Sequence, residues 1–256
     1  AENFVVVNPQ FSEVRMVSNF SNSTYHSLQL DFTKRFSRGY TVQSNFTWSK
    51  TLGDEEGAGQ ELIDSFRNLR DRRLDKRILG SHRTWVVRNS GTLELPFGPG
   101  KKFFTNSGGV LARLLERWQV GVINNLYSGT PFSIRAEVSS FSHFYTEGND
   151  ATAMQVGPMP KRGKVTKVAD GVVYFPDLRQ VRDPAVAALT NLQGLSSAST
   201  LFAIADSAGR LLVTNPAPGT LGSLQQLYAE GPGSMRFDMN LVKRVRIGER
   251  REFEFR

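Results

Sequence analysis

Hydrophobic and polar residues alternate with a period of two along residues 28–48. Successive side chains of a β-strand point to opposite faces of a sheet, so this period predicts β-structure with one apolar and one polar face. The apolar side chains fall on even positions: Leu28, Leu30, Phe32, Phe36, Tyr40, Val42, Phe46 and Trp48. The odd positions between them are polar: Gln29, Asp31, Thr33, Arg35, Thr41, Gln43, Asn45 and Thr47.

The segment Ser37-Arg38-Gly39 predicts the turn that makes this stretch a hairpin. Gly39 occupies the position that tolerates a positive φ, as a three-residue connection requires. Such a connection places Phe36 opposite Tyr40. It also places Leu30 opposite Phe46, so turn and alternation agree on one register.

The same alternation continues in four further segments. It is clear around Trp85 and Leu93 and again around Phe237, and it is blurred where Ile123 and Tyr127 fall on the polar side. We therefore predict strands at residues 24–36, 40–49, 84–97, 117–128, 235–247 and 251–256.

The connections between these strands differ in length. Short ones are expected after Phe36, Leu95 and Ile247, and long ones at residues 49–83 and 129–233. Outer-membrane barrels have short turns on one side of the membrane and long extracellular loops on the other. Residues 1–256 are accordingly expected to form part of one all-β domain: antiparallel transmembrane β-barrel strands, a partial barrel, with long extracellular loops.

The second long connection has two local signals of its own. Residues 184–192 are expected to be helical, and residues 201–213 to form a hairpin centred on Asp206-Ser207-Ala208-Gly209. Loops of this length are uncommon unless they have a function. In a transporter such loops form the surface that faces the ligand.

Composition narrows the class of protein further. The chain has no cysteine, which excludes disulfide frameworks, thiolate metal sites and cysteine nucleophiles. The apolar stretch at residues 110–127 is interrupted by Arg113, Glu116 and Arg117, so membrane helices are not expected. A barrel strand needs only about 9–11 residues with one apolar face, and it is compatible with the mean hydropathy of -0.33.

Motifs of enzyme chemistry are missing from the sequence, which predicts that the protein is not an enzyme. The segment Gly98-Pro99-Gly100-Lys101-Lys102 lacks the spacing of a phosphate-binding loop and is better explained as a tight turn. His26, His82 and His143 are isolated along the chain, so no metal and no cofactor is assigned. Asp54-Glu55-Glu56 lacks the ligand spacing of a calcium loop, which favours a solvated loop.

The net charge is +8, and the densest basic run lies at residues 67–77. Three explanations are open for this run: a solvated loop, a contact with lipopolysaccharide or an anionic ligand, and a nucleic-acid patch. A solvated loop is favoured, and nucleic acid is the least favoured partner because aromatic residues do not interleave with the basic ones.

A series of segments resembles one known family. The hairpin segments Tyr25-His26-Ser27-Leu28-Gln29-Leu30, Lys34-Arg35-Phe36-Ser37-Arg38-Gly39 and Phe46-Thr47-Trp48-Ser49-Lys50 are similar to TonB-dependent receptors of the Oar-like, acidobacterial type. The similarity continues through Glu94-Leu95-Pro96-Phe97-Gly98-Pro99-Gly100-Lys101, Ser128-Gly129-Thr130-Pro131-Phe132 and Phe237-Asp238-Met239-Asn240-Leu241.

The resemblance implies the C-terminal portion of a barrel of about 22 strands with a plugged lumen, located in the outer membrane. It further implies uptake of a scarce nutrient, such as a metal chelate or an oligosaccharide, driven by the TonB complex through a plug. No plug is recognised in this chain, and about six strands cannot close such a barrel. Outer-membrane lipid and lipopolysaccharide are the other expected partners.

The substrate-binding residues stay unknown at this stage, although the two long connections are where we expect them. Two alternatives remain open: a barrel that displays loops at the surface or in adhesion without transport, and a soluble β-sandwich that binds a ligand.

Overall fold

A computed structural model describes residues 19, 21–54, 71–136, 152–184, 201–217, 220–247 and 251–256 of the chain. In chain order its strands are β1 (Ser23–Ser37), β2 (Tyr40–Gly53), β3 (Arg77–Ile78), β4 (Trp85–Glu94), β5 (Trp118–Tyr127), β6 (Pro131–Phe132), β7 (Met154–Gln155), β8 (Thr166–Val168), β9 (Gly171–Val173), β10 (Leu178–Arg182), β11 (Phe202–Asp206), β12 (Leu211–Thr214), β13 (Ala229–Glu230), β14 (Ser234–Ile247) and β15 (Arg251–Phe255). A 3-10 helix (Arg72–Asp75) precedes β3, and helix α1 (Gly109–Leu115) precedes β5.

The main sheet joins its strands in the order β1-β2-β4-β5-β14-β15, with β3 attached to β2. Every pairing along this path is antiparallel. Among the described residues the sheet stays open, with β1 and β15 at its edges. The all-β, antiparallel fold class is thereby confirmed, and each of these six strands overlaps a segment that the alternation predicts.

The register aligns side chains of one kind across five strands. An apolar row runs through Leu30, Phe46, Val87, Leu126 and Met235, and the next row along the strands is polar: Asp31, Asn45, Arg88, Asn125 and Arg236. Neighbouring rows point to opposite sides of a sheet. The sheet therefore has an apolar face and a polar face, named here after these two rows.

One row interrupts the apolar face with polar side chains. Ser44, Asn89 and Asn124 stand side by side on β2, β4 and β5. The Ser44 hydroxyl donates to Asn89 Oδ1 at 2.7 Å, and Asn89 Nδ2 donates to Asn124 Oδ1 at 3.5 Å. These bonds reduce the cost of placing amides on an apolar surface, since each group finds a partner within the row.

The turn of the first hairpin differs from its prediction. Leu30 does pair with Phe46, but Tyr40 pairs with Ser37, so the predicted pairing with Phe36 is wrong. Arg38 and Gly39 both have positive φ, 53° and 87°, which is the signature of a two-residue type I′ turn. A bulge between Lys34 and Ser37 absorbs the extra residue and restores the predicted register beyond it.

The connection after Leu95 is not short, contrary to the prediction. Strand β4 ends at Glu94, before residue 97, and residues 95–117 form a turn and helix α1 before β5 begins. Phe103 N donates to Pro96 O at 2.9 Å, so the predicted glycine–proline turn closes on itself instead of leading into the next strand. The alternation of apolar and polar residues could not predict this long connection, because helix α1 is short and lies between two clear strands.

Residues of the second long connection form a small sheet in the order β10-β11-β12-β7 and the pairs β8–β9 and β6–β13. Strands β11 and β12 are the hairpin predicted at residues 201–213, while the predicted helix lies outside the described residues apart from Pro184. Ala153, Met159, Leu212 and Val213 form the buried core of this layer. Within the described ranges, no helix has the length and apolar character needed to cross a bilayer.

Candidate ligand-binding site

A cavity of about 820 Å³ lies where the β1–β2 hairpin meets residues of both long connections. Ser27 and Ser49 line it from the hairpin, Ile78 and His82 from the first connection, and the segment 227–230 from the second. This end of the sheet, called the loop end below, is opposite the Arg38–Gly39 turn. The cavity is large enough for a small organic ligand.

An ion pair ties the second connection to the sheet at this cavity. Arg162 Nε and Nη2 both donate to Glu230 Oε2, at 2.8 and 2.6 Å. The Thr84 hydroxyl, just before β4, donates to the same oxygen at 3.2 Å. Tyr174 Oη adds a bond to Glu230 O at 2.9 Å. The Glu230 carboxylate is mostly shielded, so the pair is stronger than a fully solvated one.

The buried imidazole of His82 extends this network to β2. Its Nδ1 accepts from Thr51 N at 3.3 Å, which requires the proton of the neutral ring to be on Nε2. Nε2 then donates to Thr84 Oγ1 at 3.4 Å. Burial lowers the pKa of His82, and the Glu230 charge only partly opposes the shift. The ring is therefore neutral at pH 7.

Cationic and aromatic side chains stand on a cavity wall that is otherwise mostly apolar. Lys50, Lys161 and Arg162 line it together with one carboxylate, Glu230. The Lys161 ammonium also lies over the Tyr228 ring, 5.3 Å from its centroid. An excess of cations beside an aromatic surface favours anionic solutes that carry a ring or another flat group.

The His82 network should weaken in acid. The pKa of His82 is lower in the folded chain than the ordinary value of about 6.5, so the unfolded chain takes up the proton first as pH falls. The stabilisation is complete above about pH 6.5 and declines as pH drops toward the folded value. We expect hydrogen exchange of residues 71–84, corrected for intrinsic rates, to be faster at pH 5.5 than at pH 7.5.

Two variants isolate the contribution of His82 to this pH dependence. His82→Gln does not titrate and should remove the acid-induced increase in exchange. His26→Gln, on the exposed edge strand, should retain it. An unchanged pH dependence in His82→Gln would show that another group is responsible.

The sequence alone did not predict a site at the Arg162–Glu230 ion pair or at the hydrogen-bond network of His82. His26 and His82, which are isolated along the chain, both line the cavity, while His143 lies outside the described residues. In the described part of the chain, no three His, Asp or Glu side chains converge on a point that could hold a metal ion. Thr84 and Glu230 are 146 positions apart, so no local motif could have revealed their contact.

The structure describes residues 71–77 of the basic run, and residues 67–70 lie outside the described residues. Arg73 is exposed and pairs with Asp71 at 3.0 Å, which lowers the pKa of that carboxyl through the side-chain hydrogen bond. Arg77, in contrast, is buried and donates to Asp54 O and Asp75 O. The prediction of a solvated run is wrong for Arg77, whose guanidinium holds the first connection together.

Comparisons with known proteins assign the chain to a family. Searches of curated proteins and of solved structures find no match to the chain. A model described as "Outer membrane beta barrel domain" matches residues 2–256. This match agrees with the apolar and polar faces of the antiparallel sheet and places the protein in the outer membrane. The chain belongs to the outer membrane β-barrel domain family.

Proposed function

We propose that the protein acts in TonB-dependent uptake of a scarce nutrient across the outer membrane, and that the loop-end cavity contacts this nutrient outside the cell. The observation that carries the proposal is the position of the cavity. Barrels of this class place their long loops outside the cell, and both long connections contribute to the cavity wall. The TonB complex would act through a plug.

The chemistry of the wall favours one of the two expected nutrient classes. A metal chelate with ionised groups complements the charges of Lys50 and Lys161, whereas a neutral oligosaccharide gains hydrogen bonds from them but no charge–charge attraction. The ring of Tyr228 offers a stacking surface to either class. We therefore propose that the nutrient is anionic, as an iron(III)–catecholate chelate is.

Reversing the charge of Lys161 tests this proposal. In the intact protein, Lys161→Glu should weaken binding of an iron(III) tris-catecholate chelate at least tenfold, because one charge-assisted contact contributes about 1.5–3 kcal/mol. Calorimetry on the purified protein measures the affinity. Lys167→Glu is the matched control, since Lys167 is exposed in β8 and does not line the cavity.

Accumulation of the labelled chelate in cells tests transport itself. Uptake should stop when TonB is deleted or when the proton gradient is dissipated. A barrel that only displays loops at the surface would bind ligands without accumulating them, and that result would favour the display alternative. A neutral maltooligosaccharide bound as tightly as the chelate would overturn the anionic class. The third alternative, a soluble β-sandwich, is wrong because the chain belongs to an outer-membrane family.

A further inference from the structure

Residues 95–117 fold back onto the apolar face at the end of the sheet opposite the loops, called the turn end. Trp118 and Lys243 face each other there in the β5–β14 register, on the same side as Val120 and Leu126. Trp118 Nε1 donates to Leu114 O at 2.8 Å. Helix α1 is therefore attached outside the barrel wall, next to the surface that faces lipid.

The C-terminal end of α1 satisfies a buried cation. Lys243 is only 8% exposed although it lies on the apolar face. Its ammonium donates to Arg113 O at 2.7 Å and also to Glu116 O, and it lies 5.5 Å from the Trp118 ring centroid. Carbonyls at the end of a helix attract a cation because they carry the negative end of the dipole. The helix thus keeps the Lys243 charge away from lipid.

The outer side of this connection is strongly apolar. Its large apolar side chains are exposed: Phe103 by 47%, Phe104 by 58%, Val110 by 78%, Leu111 by 54% and Leu114 by 62%. Ala112 is the one buried residue of α1. So many exposed apolar groups on so short a segment indicate a surface that is covered in the working protein.

Cations surround the apolar cluster and are mostly paired. Lys101 binds Glu94 at 3.3 Å, Arg113 binds Glu116 at 3.5 Å, and Arg117 binds Glu252 at 3.4 Å. Lys102 lies 5.6 Å from the centroid of the Phe103 ring. Basic side chains beside exposed rings are typical of the level of lipid headgroups, where their stems reach apolar tails and their charges reach phosphate and water.

We propose that Phe103, Phe104 and helix α1 form an interfacial anchor, inserted at the boundary between headgroups and acyl chains of the periplasmic leaflet. The occupant is phospholipid, because the cluster continues the lipid-facing surface of the barrel without a break at Trp118. The turn end is the periplasmic end, since the long loops are at the other one. The anchor fixes the depth of the barrel at this rim and shields Lys243.

Residues 1–256 contain no cysteine, so a single introduced thiol can be labelled in this part of the protein. In the intact protein, Leu111→Cys is labelled with an environment-sensitive NBD dye and reconstituted into phosphatidylethanolamine–phosphatidylglycerol vesicles. We expect blue-shifted emission, quenching by lipids that carry a nitroxide near the headgroup, and weak quenching by aqueous iodide. Val172→Cys is the control, because Val172 is 67% exposed in β9 at the loop end and should respond in the opposite way.

Each outcome decides the proposal. Iodide quenching at Leu111 as strong as at Val172 would show that water covers the cluster. Protection from both quenchers would show that protein covers it, and would equally overturn a lipid anchor. Leu114→Cys repeats the measurement one helical turn away, so that a local effect of one label cannot decide the result. Neither variant touches the loop-end cavity, so the result is independent of the proposed transport.

Discussion

Replacing Val122 by arginine should lower the free energy of unfolding of the membrane-inserted protein by about 2–4 kcal/mol, the cost of a cation on the lipid face near the bilayer midplane. Val122 lies halfway along β5 on the apolar face, between Gly91 and Met239. An arginine there has no carboxylate beside it in the register. Its charge must reach the interface along the strand or stay in hydrocarbon.

The neighbouring residue supplies the matched control. Ile123 is on the polar face, half exposed, and pairs with Ser90 and Asp238. Ile123→Arg should change the free energy of unfolding by less than about 0.5 kcal/mol, as is usual for exposed positions, with the new guanidinium near the Asp238 carboxylate. Equilibrium unfolding in guanidinium chloride, from vesicles, measures both variants. Equal costs for the two would show that the faces have been assigned the wrong way round.

Strand alternation was sufficient to predict the faces of the main sheet. With Leu30 opposite Phe46, the alternation of apolar and polar residues decides which face of the sheet each later side chain joins. A shift by one residue would move a whole set of apolar side chains to the polar face. Even Ile123, which blurs its strand in the sequence, is on the polar face as its position requires. Periodicity succeeds here because it reports a constraint shared by five strands.

Local detail escaped the same reasoning for physical causes. The bulge before Ser37 takes up one extra residue and leaves the apolar pattern beyond it unchanged. The sequence is therefore compatible with both the three-residue and the two-residue turn. The polar row of Ser44, Asn89 and Asn124 is intelligible only when three strands are aligned, because each residue alone looks like a defect in the apolar face. The cavity depends on contacts between the two long connections, which no period describes.

Family membership and physical reasoning support different parts of the functional proposal. The two faces and the family match establish an outer-membrane barrel. The charge of the cavity wall favours an anionic nutrient whether or not TonB drives its entry. Binding and energy coupling can therefore fail independently, which is why calorimetry and accumulation are separate experiments.

Substituting Gly129 by alanine should disrupt the base of the second long connection and cost about 1–3 kcal/mol, the range for overpacking a closely fitted site. Gly129 is buried beside Gly231, where the two ends of the connection pass each other. A Cβ on Gly129 would overlap the backbone carbonyl of Gly231, and a backbone cannot rotate away as a flexible side chain can. The two chain segments must separate, which also displaces Glu230 from Thr84 and Arg162.

Gly108→Ala is the matched control, since a Cβ on Gly108 meets no atom within 4 Å and its φ of -129° suits any residue. This control should cost at most about 1 kcal/mol, because alanine is a poorer N-cap than glycine but introduces no clash. Protease resistance of the loops and calorimetry of the chelate measure the effect. Gly129→Ala should lose both the resistance and the binding while the strands stay folded, because the clash lies outside the main sheet. Wild-type binding in Gly129→Ala would mean that the cavity does not depend on the crossing of these two segments, and the chelate would have to bind elsewhere on the loops.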